Sequence, residues 1–369
     1  DSIGYEQAGQ LINTQGWSEY FRTGPNREPF YPFLISLSMK IGNFFSISFE
    51  SILILIQIFL LCLTQLITLK ILNILKVHQI ISAFTVLYMG FSPALVNSTF
   101  CLFSEIAAFP IVPAIVILSF YAVKSIQSLT PSSSISILPK IRFIFSSLGL
   151  ILLLATLTKA VFEMIAPLIL FMIGMISFIL TQKKNRKKVL HLLIMAVLCF
   201  YIPLAGYKFL NFKYNGNFTV TDRGAWALYG NTERRMIPLT WQRFTAALSY
   251  TAGHGFCRSF FDEETCTEWS YVASDNYGTK QRKALENQGL STSDVNKKLI
   301  KLSVNKALEN PAQYVLLWLV EGIKMLVWES LDMAYVLLSN SLLNIYNIAF
   351  LKFGIFFLMP MSILISILT

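Results

Sequence analysis

The chain has 369 residues, of which 54% are hydrophobic, 14% aromatic and only 14% charged. A soluble domain carries about 25% charged residues, so this composition excludes an ordinary soluble globular protein and requires lipid around much of the chain. The formal net charge of +10 is not a nucleic-acid footprint, because the lysines and arginines gather beside apolar runs, where positive-inside bias puts them, and no nucleic-acid partner is expected.

The first thirty residues are polar and run straight into apolar sequence: Asp1-Ser2, Tyr5, Glu6, Ala8, Gly16-Trp17, then Gly24-Pro25-Asn26-Arg27-Glu28-Pro29-Phe30-Tyr31-Pro32. Crossing a bilayer takes ~20 apolar residues. Candidate spans follow at Ser51 to Leu69, Gln79 to Phe100 and Ile106 to Val123. A Ser/Pro-rich stretch from Lys124 to Arg142 reads as a loop. Phe143 to Thr158 and Val161 to Thr181 form a predicted hairpin with Lys159 at its tip, Gln182 to Lys188 closes it with a basic run, and Val189 to Tyr207 crosses again.

Basic residues fall in every second connection, at Lys70/Lys76, Lys124/Lys140/Arg142 and Lys183 to Lys188. Those connections are expected to be cytoplasmic. The N-terminal segment, the Ser104-Glu105 tip, the Lys159 tip and the polar stretch after Tyr207 then share the outer face.

From Lys208 to about Pro311 the chain is polar and includes Tyr214 to Phe218, Asp222 to Trp226, Cys257, His254 and Cys266. Ser291-Thr292-Ser293-Asp294 predicts a capped helix through Val295, Leu299, Leu302 and Leu308, ending at Asn310-Pro311. The stretch Ala312 to Trp328, with Glu321 and Lys324, reads as a helix along the interface. Cys62, Cys101 and Cys199 lie in apolar spans as small buried hydrophobes, whereas Cys257 and Cys266 in the outer segment are read as a disulfide, with two unpaired thiols the alternative. Arg223, Arg234 and Arg235 have two readings, contacts to an anionic ligand or a solvated basic surface.

The N-terminal segment, with its opening aspartate, Tyr5, Ala8 and Arg27-Glu28-Pro29-Phe30-Tyr31-Pro32, resembles the first extracytoplasmic loop of GT-C glycosyltransferases, which include protein mannosyltransferases and bacterial aminoarabinose transferases. Ser2 departs from the mannosyltransferase pattern, where an acidic residue often follows the aspartate. The resemblance implies an all-α polytopic membrane protein, a GT-C-like helical bundle with an extracytoplasmic soluble insert. The expected division is a first outer loop with juxtamembrane helices at 1–48, a transmembrane bundle at 49–207, the insert at 208–311, and an interfacial helix with C-terminal spans at 312–369. A helix should precede such a loop and the chain closes inside an apolar run, Phe350 to Thr369, so the sequence reads as a processed or excised piece lacking the first transmembrane helix.

The implied activity is transfer of a sugar, with inversion, from a polyprenyl-phosphate carrier to a lipid, glycan or protein acceptor at the outer face of a bacterial inner membrane. The acceptor must lose a proton as it attacks, so a carboxylate acts as general base. Asp1 takes that role by resemblance, and Glu105 is the second catalytic candidate, assisting Asp1, positioning the acceptor or holding a divalent metal; a carboxylate favoured by the helix N-terminus is the plainer reading. The leaving phosphate needs fixed cations, for which Lys159 and Arg27 are the candidates; pairing with Glu163 is the alternative for Lys159. Glu28 and His254 are candidate ligands should a divalent metal take part, and Glu28 beside Arg27 otherwise reads as a surface pair. A flippase or transporter for lipid-linked sugars, and a polysaccharide polymerase or ligase, are the rival functions.

Overall fold

A computed structural model describes residues 2–127 and 137–327, which form helices and connections with no strand among them. The chain divides into two compact units, Asp1–Asp222 and Arg223–Thr369.

The first unit opens with α1 (Ser2–Gln15) and the short α2 (Trp17–Arg22), separated by Gly16, whose φ of 84° is ready only to glycine. Helix α3 (Phe30–Phe45) begins at Pro29-Phe30, and Ser48 caps α4 (Phe49–Ile74) by accepting the Ser51 amide. His78 caps α5 (Gln79–Phe91), which gives way to α6 (Pro93–Phe100). Then come α7 (Glu105–Gln127), α8 (Ile137–Thr158), α9 (Phe162–Leu180) and α10 (Arg186–Asn215). Gly216, with φ 76°, closes α10 by donating its N–H to the Phe212 carbonyl.

Five helices among the described residues, α4, α7, α8 from Leu138, α9 and α10, are long and apolar enough to cross a membrane. The shortest, at 19 residues, is about 28 Å long at the helical rise, against a hydrocarbon core of about 30 Å. Large apolar side chains on them point outward, among them Phe59, Phe171 and Ile179, more than 60% exposed. In water such a surface would aggregate; in lipid it is the ordinary outer face. The chain is an all-α membrane protein.

The expected span from Gln79 to Phe100 is corrected to two helices. Pro93 has no N–H to donate and drives the preceding residue out of the α region, and Ser92 is accordingly extended, with ψ of 119°. Helix α5 alone has 13 residues, about 20 Å, too short to cross. The return leg is nevertheless required. Gln57, near the start of α4, donates to the Cys101 carbonyl just before α7 at 2.9 Å, while Lys70 near the end of α4 lies over the Tyr121 ring near the end of α7 at 5.7 Å. Helices α4 and α7 therefore run in the same direction, and α5 with α6 carries the chain back between them. Two further boundaries move: Ile137 to Arg142, read as loop, is helical, and the last span continues past Tyr207 to Asn215. Within the segment read as loop, residues 128–136 lie outside the described residues, as do Trp328 and the apolar run from Phe350.

One core lies between α7, α8, α9 and α10, around Ile115, Phe145, Leu152, Leu170 and Phe200. Gly149 of α8 permits close approach there, since a Cβ built on it would stand 2.3 Å from the Ala196 carbonyl oxygen of α10. A second core joins α1, α3, α4 and α7 through Tyr5, Tyr31, Ile35, Leu53 and Ile106.

The second unit contains α11 (Arg223–Arg235), α12 (Trp241–Thr251), α13 (His254–Arg258), α14 (Glu263–Thr267), α15 (Tyr271–Glu286), α16 (Thr292–Glu309) and α17 (Pro311–Val327). Cys257 and Cys266 are bonded to each other beneath Trp269 in its core. Ser291 caps α16 by accepting the Asp294 amide at 3.2 Å. Glycines let α11 and α15 cross closely: a Cβ on Gly230 would collide with the Ser274 carbonyl, and one on Gly278 with that of Trp226.

Candidate functional site

Four of the candidate site residues of the first unit collect at one end of its bundle because of where the helices stop. Glu105 is the first residue of α7, where the helix dipole favours a carboxylate, and Lys159 follows the last residue of α8, where it favours a cation. The two helices are antiparallel, so these ends meet, and Lys159 Nζ donates to Glu105 Oε1 at 2.7 Å. Burial works to lower the Lys159 ammonium pKa, but the Glu105 charge and hydrogen bond, with the charge of Glu28 nearby, raise it above its ordinary value. Glu163 does not take this lysine. It pairs instead with Lys208 of α10 at 2.7 Å, and the Lys208 ammonium also lies over the Phe218 ring.

The loop between α2 and α3 closes over this pair. Glu28 Oε1 accepts the Ala160 amide at 3.2 Å, which ties the loop to the turn that carries Lys159. Arg27 lies against the Tyr5 ring, 5.1 Å from its centroid, and Tyr20 donates its hydroxyl to the Arg27 carbonyl at 2.7 Å. Tyr5 and Ser104 share a hydrogen bond of 2.8 Å between their hydroxyls. Burial raises the Tyr5 phenol pKa against the opposing charge of Lys159. Beneath them Gln57 donates to the Tyr31 hydroxyl at 2.7 Å. Arg27, Glu28, Glu105 and Lys159 thus converge from three connections onto one bundle end. Asp1 lies outside the described residues.

The loop is fastened from a distance that its own sequence does not reveal. Asp222 donates its amide to the Pro25 carbonyl at 2.9 Å, and its carboxylate accepts from Asn215 and from Asn217, the latter at 3.0 Å. Gly24 has φ of 79°, and a Cβ there would stand 2.8 Å from the Asp222 carboxylate. Phe21 of α2 packs on Tyr207 and Tyr214 of α10, with centroids 5.1 and 6.2 Å away. The turn-like run Tyr214 to Phe218 was the available signal for this clasp, but nothing in it names the loop as partner.

In the second unit His254 faces Glu263, with Nε2 3.2 Å from Oε1, and Arg258 holds the other carboxylate oxygen at 2.8 Å. Both readings of Arg234 and Arg235 are corrected: the two arginines are buried and converge on Glu321 of α17. Arg234 also donates to the Trp269 and Ser270 carbonyls at 2.9 and 3.0 Å, and burial lowers its pKa despite Glu321. Arg223 lies over Trp226 and Tyr271, 3.7 Å from Asp275.

Among the described residues no three His, Cys, Asp or Glu side chains gather as metal ligands. Glu28 accepts a backbone amide through Oε1, and His254 stands against a carboxylate that an arginine also holds. No known protein family, curated protein or solved structure matches the chain.

Proposed function

We propose that the chain is a glycosyltransferase of the GT-C type, moving a sugar from a polyprenyl-phosphate carrier to an acceptor at the outer face of a bacterial plasma membrane. The observation that supports it is the meeting of Arg27, Glu28, Glu105 and Lys159 at one end of a bundle of spanning helices. A lipid-linked substrate keeps its tail in the bilayer and presents its phosphate and sugar at that depth.

In the proposed step the acceptor oxygen forms a bond to the anomeric carbon as the bond from that carbon to the phosphate oxygen breaks. The electron pair leaves with the polyprenyl phosphate, and the acceptor proton passes to a carboxylate, Asp1 by resemblance or Glu105. Lys159 is held cationic and only part-exposed, and it would exchange Glu105 for the phosphate as negative charge develops there. Arg27 offers a planar fork suited to phosphate oxygens.

The flippase reading would favour polar or broken-helix sites near the midplane. The ionisable residues of the five spanning helices sit toward their ends, which favours surface chemistry, whereas the break at Ser92-Pro93 between α5 and α6 favours the flippase. The test is sugar transfer from polyprenyl-phosphate donors by the protein in lipid, with Asp1→Asn and Glu105→Gln compared with the parent. A general base should cost about 10² to 10⁴ in turnover when removed. Parent-level transfer by both variants would overturn the assignment, and donor movement across the bilayer without transfer would establish the flippase.

A further inference from the structure

Helices α16 and α17 of the second unit leave apolar faces uncovered that its core does not use. On α16, Val295, Leu299 and Ser303 are buried, while Ile300, Val304 and Leu308 form a separate stripe, 46, 49 and 67% exposed. That stripe repeats every four residues, one face of a helix. Lys297 and Lys301 flank it on the surface, and Lys298 follows farther round. On α17, Leu317, Val320 and Glu321 face inward, while Val315, Leu316, Trp318, Leu319 and Ile323 occupy the outward half. Asn310 joins the helices with no linker, ending α16 and accepting the Gln313 amide of α17 at 3.1 Å.

We infer that the α16–α17 face lies on a lipid bilayer surface, with the apolar stripes entering the headgroup boundary and the α16 lysines among anionic lipid headgroups. An apolar stripe with lysines along its edge and an exposed tryptophan is the composition of a helix that rests in a membrane surface. Aqueous solvent would leave a continuous helical half of five large apolar side chains hydrated on α17 alone, and a purely protein partner would gain nothing from the α16 lysines unless it were acidic. The surface commits a lipid bilayer as its occupant.

The test uses the full chain in vesicles, with Cys62, Cys101 and Cys199 replaced so that a single new cysteine carries an environment-sensitive fluorophore. Labels at Val304→Cys and Leu319→Cys should be quenched by nitroxide on the lipid acyl chains and shielded from aqueous iodide, and a label at the exposed Glu264→Cys should show the reverse. Vesicles of phosphatidylglycerol and phosphatidylcholine separate the charge contribution from the apolar one. Replacing Lys297 and Lys301 with glutamine should lower the docked-to-undocked ratio about fivefold per lysine in the anionic vesicles, the equivalent of ~1 kcal/mol each, and leave it unchanged in the zwitterionic ones. Iodide access at both positions would overturn the inference. Shielding from iodide without lipid quenching would also overturn it, and would assign the face to protein, whether residues 328–369 or a second copy. The lysine variants leave the apolar stripe and the buried core intact, so their readout does not depend on a damaged fold.

Discussion

Replacing Lys159 with methionine separates a structural contact from a working one. The Lys159–Glu105 pair is short, 2.7 Å, but its side chains are 28 and 50% exposed, and such pairs contribute only ~0.2 to 1 kcal/mol to stability once solvent screening is counted. Methionine keeps the length and apolar stem of lysine, so the thermal unfolding midpoint should move by only a few degrees at most. A cation facing a leaving phosphate is worth far more, roughly 10² to 10³ in turnover, or ~2.7 to 4 kcal/mol. The pH response follows from the upward shift of the lysine. Its folded-state pKa lies above the ordinary 10.5, so the stability it contributes is complete at neutral pH and is lost only as pH climbs past that value and through the raised one. Activity assayed between pH 6 and 9 should therefore show no step from this lysine. The assay is a double-mutant cycle of Lys159→Met with Glu105→Gln, read by both transfer rate and unfolding midpoint. Parent-level transfer with a coupling of several kcal/mol in stability would refute the reasoning and make the pair a bolt between α7 and α8.

Other residues carry equally direct expectations. Gly149→Val should destabilise the bundle by about 1 to 3 kcal/mol, because its Cβ would meet the Ala196 carbonyl at 2.3 Å; an unchanged midpoint in detergent would show that α8 and α10 do not touch there. Glu321→Gln removes the anion shared by the buried Arg234 and Arg235 and should cost about 3 to 5 kcal/mol, read by denaturant unfolding of the second unit. Reducing Cys257–Cys266, nine residues apart, should cost ~2 to 4 kcal/mol, and mass spectrometry of unreduced protein should find both thiols blocked.

Much of the bundle was legible because lipid imposes a simple pattern. The five spanning helices overlap apolar runs that charged residues bound, such as Lys124 in the last turn of α7 and Lys183 after α9. What misled was hydropathy without charge: Gln79 to Phe100 has no charged residue, and Ser92-Pro93 inside it told of a break. The neighbours Glu105 and Lys159 were each visible as lone charges at helix ends, yet their contact depends on α7 and α8 being antiparallel neighbours. Arg234 and Arg235 were illegible for the opposite reason. A polar composition around them suggested solvent, whereas their partner Glu321 lies more than eighty residues on, in a helix that reads as apolar.

The clasp between Asp222 and the loop at Gly24-Pro25 also sets an order of events during synthesis. Arg27 and Glu28 leave the ribosome early, but the residues that fasten their loop, Asn215 to Asp222, are made about 200 positions later, after all five spanning helices. At a synthesis rate of roughly 5 to 20 residues per second, that leaves the loop unfastened for ~10 to 40 s. A nascent chain halted at Asn215 would hold the five spanning helices of the described residues and still leave the bond after Arg27 open to trypsin, and one halted well past Asp222 would protect it.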